Sequence, residues 1–168
     1  MDADALTNIY NNHYSNVYNY IAYRINNHHD AEELASLVFE RAISAWARYD
    51  PAKSPEAWLI GIAKNAVTDY LRARGRRRVV GLDAIVNFRT FENLPDEVAV
   101  LNEEHRELVL AMAKLKYKER QILSLKFATE LKSYEIAEIL KMSESAVRVA
   151  ASRAVKKLRT ILEVDYEV

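Results

Sequence analysis

The stretch SYEIAEILKMSESAVRVAASRAVKKLR, residues 133–159, decides how the rest of the chain is read. Ser133 is placed to cap a short helix from Tyr134 to Leu140. Lys141-Met142-Ser143 makes a tight turn, with Met142 as an apolar plug and Ser143 as the N-cap of a second helix beginning at Glu144. Ala137 is small where the two helices must cross. In the second helix Val147, Ala151, Ala154 and Leu158 recur at helical spacing and form one inward face. Arg148, Ser152, Arg153, Lys156, Lys157 and Arg159 lie off that face. A short helix, a tight turn and a basic second helix make a helix-turn-helix. Ser143, Ser145 and Arg148, near the start of the second helix, are the candidates for base edges. Ser152, Arg153, Lys156 and Lys157 follow as the side that meets phosphates. Charge alone would support only a solvated basic helix. The capped turn and the small crossing residue favour DNA. Lys141 stands where glycine is common, and a side chain at positive φ there costs about 1–2 kcal/mol.

Working outward, the 168 residues are half hydrophobic, enough for a packed core. Only three glycines and three prolines are present, too few for many tight strand turns, so helices are favoured. The absence of cysteine excludes disulfides and thiolate chemistry and fits a reducing cytoplasm. Met1-Asp2-Ala3-Asp4 lacks the basic-then-apolar order of a signal peptide. No apolar run approaches the roughly 20 residues that span a bilayer.

The formal net charge is zero, but the charge is segregated. Residues 1–71 carry −4, 72–78 carry +5, 79–110 carry −5, 111–160 carry +7 and the last eight carry −3. A phosphate backbone feels the local field within a Debye length of about 8 Å, so the two basic zones matter more than the total. The five arginines at 72, 74, 76, 77 and 78 have no acid among them, which points to an external polyanion or acidic partner.

The periodicity is helical throughout. A first helix runs from about Ala5 to Ile25 and ends near Asn26 and Asn27, with Asp30 as the N-cap of the next. Leu34, Val38, Ala42 and Ala45 mark that second helix. Leu59, Ile62, Ala63, Ala66, Val67, Tyr70 and Leu71 mark a third. Between them Pro51 and Pro55 forbid a continuous helix. Trp46, Tyr49 and Trp58 read as core anchors, and Gly61 as a close backbone approach. The fold class is all-α, with two small helical domains, residues 1–78 and 104–168. The acidic stretch 79–103 joins them, with a short helical piece near Asp83–Phe88.

Enzymatic signatures are absent: no Gly-rich phosphate loop, no nucleophile motif, no catalytic partner for Asp69 or Glu56. His28-His29-Asp30 with Glu32 and Glu33 lacks the histidine pair at i and i+4 that zinc sites favour. No metal, cofactor or small-molecule substrate is expected.

Asp30-Ala31-Glu32-Glu33-Leu34 with Phe39 and Ala45-Trp46 resembles the core-polymerase-binding segment of extracytoplasmic-function sigma factors. Ala57-Trp58-Leu59, Ile62-Ala63-Lys64-Asn65, Asp69-Tyr70-Leu71 and the arginine run resemble that family's promoter-melting segment. Ser143 to Arg159 is similar to its recognition helix. The resemblance covers nearly the whole chain in order. It implies an alternative sigma factor, with two helical domains on a flexible linker, that directs core RNA polymerase to promoter DNA, typically in an envelope or stress response. It further implies control by an anti-sigma factor, often membrane-bound, that holds the protein in check. By this resemblance Asp30, Glu33, Leu34, Leu37 and Phe39 bind polymerase. Lys53, Ser54, Trp58, Lys64, Asn65, Asp69, Arg72 and Arg76 read and open the −10 element. Ser143, Ser145, Arg148, Ser152, Arg153, Lys156 and Lys157 read the −35 element. Two alternatives stay open: a helix-turn-helix regulator that works without polymerase, and a sigma-like module that only binds other proteins.

Overall fold

The computed structural model describes residues 3–25, 27–77 and 103–166. Among these are seven α-helices and one 3-10 turn, with no strand. The helices are α1 (Ala3–Ile25), α2 (His28–Ala45), α3 (Pro55–Arg77), α4 (Glu103–Ala113), α5 (Tyr117–Ala128), α6 (Ser133–Leu140) and α7 (Glu144–Tyr166). The 3-10 turn, Trp46–Arg48, follows α2. The acidic linker lies outside the described residues except for Glu103, and so does the expected helical piece near Asp83–Phe88.

The first three helices pack on one another. Val17, Tyr20, Ile21 and Ile25 of α1 are buried against Ala31, Leu34, Ala35, Val38, Phe39 and Ala42 of α2 and Leu59, Ile60, Ala63, Ala66 and Val67 of α3. The spacings of three and four place each set on one stripe. Asn27, not Asp30, caps α2: its Oδ1 accepts from the Asp30 N–H at 3.0 Å. The helix begins at His28, so the side chain in reach of its third N–H is Asn27's. Ser54 caps α3 by accepting from Ala57 N at 3.2 Å. Pro55 fits the first helical position, where its missing N–H is not needed. Gly61 makes no close approach, since a Cβ built there meets nothing within 4 Å.

In the second half, α5 and α6 both pack on α7. Val147, Ala151, Ala154 and Leu158 point inward, as their spacing requires. Ser143 caps α7, its Oγ accepting from Ala146 N at 3.1 Å. Ser133, however, is the first residue of α6 rather than its cap. The work of a cap falls to Glu135, whose carboxylate accepts the Lys132 N–H at 2.9 Å. Lys141 ends α6 at φ 53°, the left-handed conformation expected of this turn. Met142 closes the turn with its N–H on the Ala137 carbonyl at 3.0 Å, but its side chain stays 39% exposed at the edge.

The two groups of helices also pack against each other. Helix α5 lies on α1, and α6 lies on α3. Ile122, Leu123, Ser124 and Leu125 are four consecutive buried residues of α5. A helix buried on one stripe cannot hide four in a row. Helix α5 is covered on two sides because it sits between α7 and α1.

Candidate nucleic-acid interfaces

The first basic face is built where the loop after Trp46–Arg48 meets α3. Asp50 accepts from Ala52 N at 2.9 Å, and the Tyr49 hydroxyl donates to the Lys53 carbonyl at 2.8 Å, so the loop is internally bonded. Trp46, Tyr49 and Trp58 form a half-buried aromatic cluster, with ring centroids 4.8–6.0 Å apart. They are neither core nor free platforms. Beside them is a cleft of about 540 Å³, whose α3 wall includes Trp58, Gly61, Lys64 and Asn65 and whose loop wall includes Lys53 and Ser54. Its opposite wall is α6, through Tyr134, Glu135, Glu138 and Ile139.

Most of the charged residues expected on this face already have partners. The Lys53 ammonium pairs with the Glu138 carboxylate at 2.5 Å, and that hydrogen bond raises the Lys53 pKa above the ordinary lysine value. Lys64 donates to the Ile139 carbonyl at 3.3 Å. Asp69 pairs with Arg41 of α2 at 3.7 Å. The side chain of Asp30 accepts from the Tyr70 hydroxyl and lies 3.8 Å from Arg74, tying the start of α2 to the end of α3. Burial and the Asp30 bond push the Tyr70 phenol well above its usual range. Asn65 and Arg72 are exposed and line a second cleft of about 390 Å³ with Lys64, closed on its far side by Tyr117 and Gln121 of α5. Arg76 belongs to α3, and Arg78 lies outside the described residues.

The second basic face is α7. Ser143, Ser145, Arg148, Ser152, Arg153 and Lys156 are all exposed. The Arg148 guanidinium is shared with Glu144 one turn back. Lys157 is turned aside: its ammonium meets both Glu119 carboxylate oxygens at 2.9 and 3.0 Å and clamps α5 to α7. Burial would raise the Glu119 pKa, but Lys157 and the Lys116 N–H outweigh it and hold the carboxyl below its usual range.

Residues 9–77 match the Sigma-70 region 2 family, and residues 105–158 match Sigma-70, region 4. The sigma factor ShbA of Streptomyces griseus is 34% identical over 140 residues, covering 80% of this chain and 73% of that protein. SigX of Bacillus subtilis is 27% identical over 159 residues, covering 92% of this chain and 82% of its own length. Both are extracytoplasmic-function (ECF) RNA polymerase sigma factors. This chain belongs to the same family. Its fold is shared with two solved proteins, the first of them a sigma factor. RpoE of Bartonella quintana, crystallised with the anti-sigma factor NepR, has a TM-score of 0.75 and 17% identity, covering 97% of this chain and 99% of that one. CnrH, in complex with the cytosolic domain of CnrY, has a TM-score of 0.72 and 19% identity, covering 98% and 91%.

As an ECF sigma factor the protein binds core RNA polymerase and directs transcription from specific promoters. The sigma factor's expected polymerase-binding residues divide by burial. Leu34 and Phe39 are only 8% and 7% exposed and belong to the bundle core, because they sit on the same helical stripe as Val38 and Ala42. Glu33 remains exposed and Leu37 half-buried. Ile43, 47% exposed on α2, had no sequence signal, since an isolated apolar residue is ordinary until its face is known. His28 and His29 pair with Glu32 and Glu33, each at 3.2 Å, and His28 also bonds the Tyr18 hydroxyl. Among the described residues no group of three or more His, Asp and Glu could hold a metal ion, and no helix is long and apolar enough to cross a membrane.

Proposed function

We propose that the sigma factor divides its promoter work between residues 1–78 and 104–168, joined by 79–103. In this reading Ser143, Ser145, Arg148, Ser152, Arg153 and Lys156 read the −35 element. Lys53, Ser54, Trp58, Lys64, Asn65, Asp69, Arg72 and Arg76 engage the −10 element, and Glu33, Leu37 and Ile43 face the polymerase. Ser54 acts there through its cap on α3, and Asp69 through Arg41. Lys157 acts through its clamp on Glu119. The observation that carries the −35 assignment is the exposed polar and basic side of α7, opposite a fully buried apolar side.

The solved sigma factor RpoE, held by the anti-sigma factor NepR, supports an anti-sigma partner for this chain. A cytoplasmic place of action and a role in an envelope or stress response accompany that reading. The work is binding and positioning, without a catalytic centre.

The deciding experiment is run-off transcription from genomic DNA with purified core polymerase, with and without this protein. New, discrete start sites are expected only when it is added. Protection of an operator by the protein alone, with no start sites, would replace the sigma reading with a polymerase-independent regulator.

A further inference from the structure

Asp30 belongs to the acidic stretch that resembles a polymerase-binding segment, yet its carboxylate is engaged within the protein. It accepts from the Tyr70 hydroxyl, and its Oδ2 lies 3.8 Å from Arg74 Nη1. Arg74 in turn donates to the same hydroxyl at 2.6 Å, and its guanidinium stands 5.3 Å from the Tyr70 ring centre. One phenol therefore joins the first turn of α2 to the last turns of α3. The Asp30 backbone is fixed as well, because its N–H donates to the Asn27 cap at 3.0 Å. Only 26% of the Asp30 side chain is exposed, against 67% for Glu33 one turn on. Glu33 is the acid that stands out toward solvent.

Helix dipoles alone would favour an acid in the first turn of α2 and an arginine near the end of α3. They do not account for a neutral phenol set between the two. What this junction holds is the tail of α3. The last buried apolar residue of that helix is Val67, with Tyr70 and Leu71 packed at the edge of the core. From Arg72 to Gly75 no side chain is buried. Gly75 is a poor helix former, and the arginines at 72, 74, 76 and 77 crowd like charges onto the same turns. A helix end of that composition frays unless a tertiary contact ties it down. Among the described side chains that contact is Arg74. Around the helix Arg72 and Arg74 are about 200° apart. Pinning Arg74 to α2 therefore fixes the rotation of the turn that carries Arg72, which lines the opposite cleft with Lys64 and Asn65. Burial and the Asp30 bond hold the Tyr70 phenol above its usual range, so it stays a donor.

We infer that Asp30 is a positioning residue for promoter DNA rather than a polymerase contact: through the Tyr70 hydroxyl and Arg74 it holds the end of α3 so that Arg72 meets the DNA backbone. The inference rests on the −10 assignment of Arg72 made above. It also divides the arginine run, for Arg74 serves the fold and Arg72 the nucleic acid.

The test uses holoenzyme on a duplex carrying a start site found by run-off transcription. Tyr70→Phe removes the hydroxyl at the junction and leaves the Asp30 charge and the α2 dipole in place. Asp30→Ala removes the carboxylate. Both variants should bind dye-labelled core polymerase as the parent does. Both should lower promoter affinity roughly fivefold, and the slope of log affinity against log salt should become shallower by about one phosphate contact. Asp30→Ala with Tyr70→Phe should be no worse than either change alone, because both act through one junction. Adding Arg72→Ala to Tyr70→Phe should bring no further loss. Weaker core binding by Asp30→Ala would return Asp30 to the polymerase and overturn the inference. Promoter affinity and salt slope unchanged in both variants would overturn it as well. So would a steeper slope, since a freed Arg74 would then be reaching phosphate and the junction would mask an arginine instead of aiming one. If Arg72→Ala alone leaves promoter affinity unchanged, the −10 assignment of Arg72 fails, while core binding by Asp30→Ala still reports whether Asp30 touches the polymerase.

Discussion

The two basic faces of this sigma factor have similar sequence signatures but differ in where the partners of their charges come from. On α3 and its loop, Lys53, Lys64 and Asp69 are each paired, two of them with groups more than seventy residues away. On α7, Arg153 and Lys156 stand exposed, and among the described residues Arg148 pairs with Glu144, a neighbour on its own helix. The difference teaches that a run of positive charge marks where an anion can bind, not whether the site is open. Openness depends on what the fold lays across the lysines. A helix C-terminus with a glutamate near its end is well suited to that.

The largest expected effect would test the open face. Arg153→Ala should weaken promoter use by about 1–3 kcal/mol, and Arg148→Ala by less, because Glu144 already shares that guanidinium. Run-off yields against polymerase–sigma concentration measure both. If neither substitution matters, α7 is not the reading helix, and the contrast between the faces loses one side.

A smaller effect contrasts the backbones of the two halves. Gly61 lies inside α3 with open space where its Cβ would be, while Lys141 holds a left-handed turn that suits glycine. Gly61→Ala and Lys141→Gly should therefore each stabilise the chain, by about 1 kcal/mol or less. Thermal unfolding with matched denaturant titration reads this directly. A loss of stability in Lys141→Gly would show that the lysine stem makes a compensating contact.

The smallest effect concerns the clamp between α5 and α7. The Glu119 carboxyl is held below its usual pKa by Lys157. Its contribution is therefore present above the unfolded carboxylate range, near pH 4.3 to 4.5, and disappears as the pH falls through the lower folded value. Glu119→Gln should destabilise the protein by under about 1 kcal/mol at neutral pH, since the pair is partly exposed. The variant should also lose less stability on acidification to about pH 3. An identical acid dependence in parent and variant would remove Glu119 from the clamp.

Much of the fold was legible in advance. Helices α2, α3 and α7 are announced by apolar spacing within four residues, and the turn at Lys141-Met142-Ser143 by the cap at Ser143. Errors were local in reach too. Asn27 displaced Asp30 as a cap, and Glu135 took the part expected of Ser133, because a shift of one or two residues in a helix start changes which side chain meets the free N–H groups. Leu34 and Phe39 match the polymerase-binding motif, yet the bundle needs them inside.

By itself, the sequence determined the helices, the helix-turn-helix and the two zones of positive charge, since these follow from neighbours three or four residues apart. Only the tertiary structure decided which charges are already satisfied. Lys53 and Glu138 are 85 residues apart, and Arg120 and Tyr23 are 97. No periodicity reaches that far. Their meeting depends on how α5 and α6 settle on α1 and α3, and a polar contact of that kind leaves no apolar pattern in the chain to announce it.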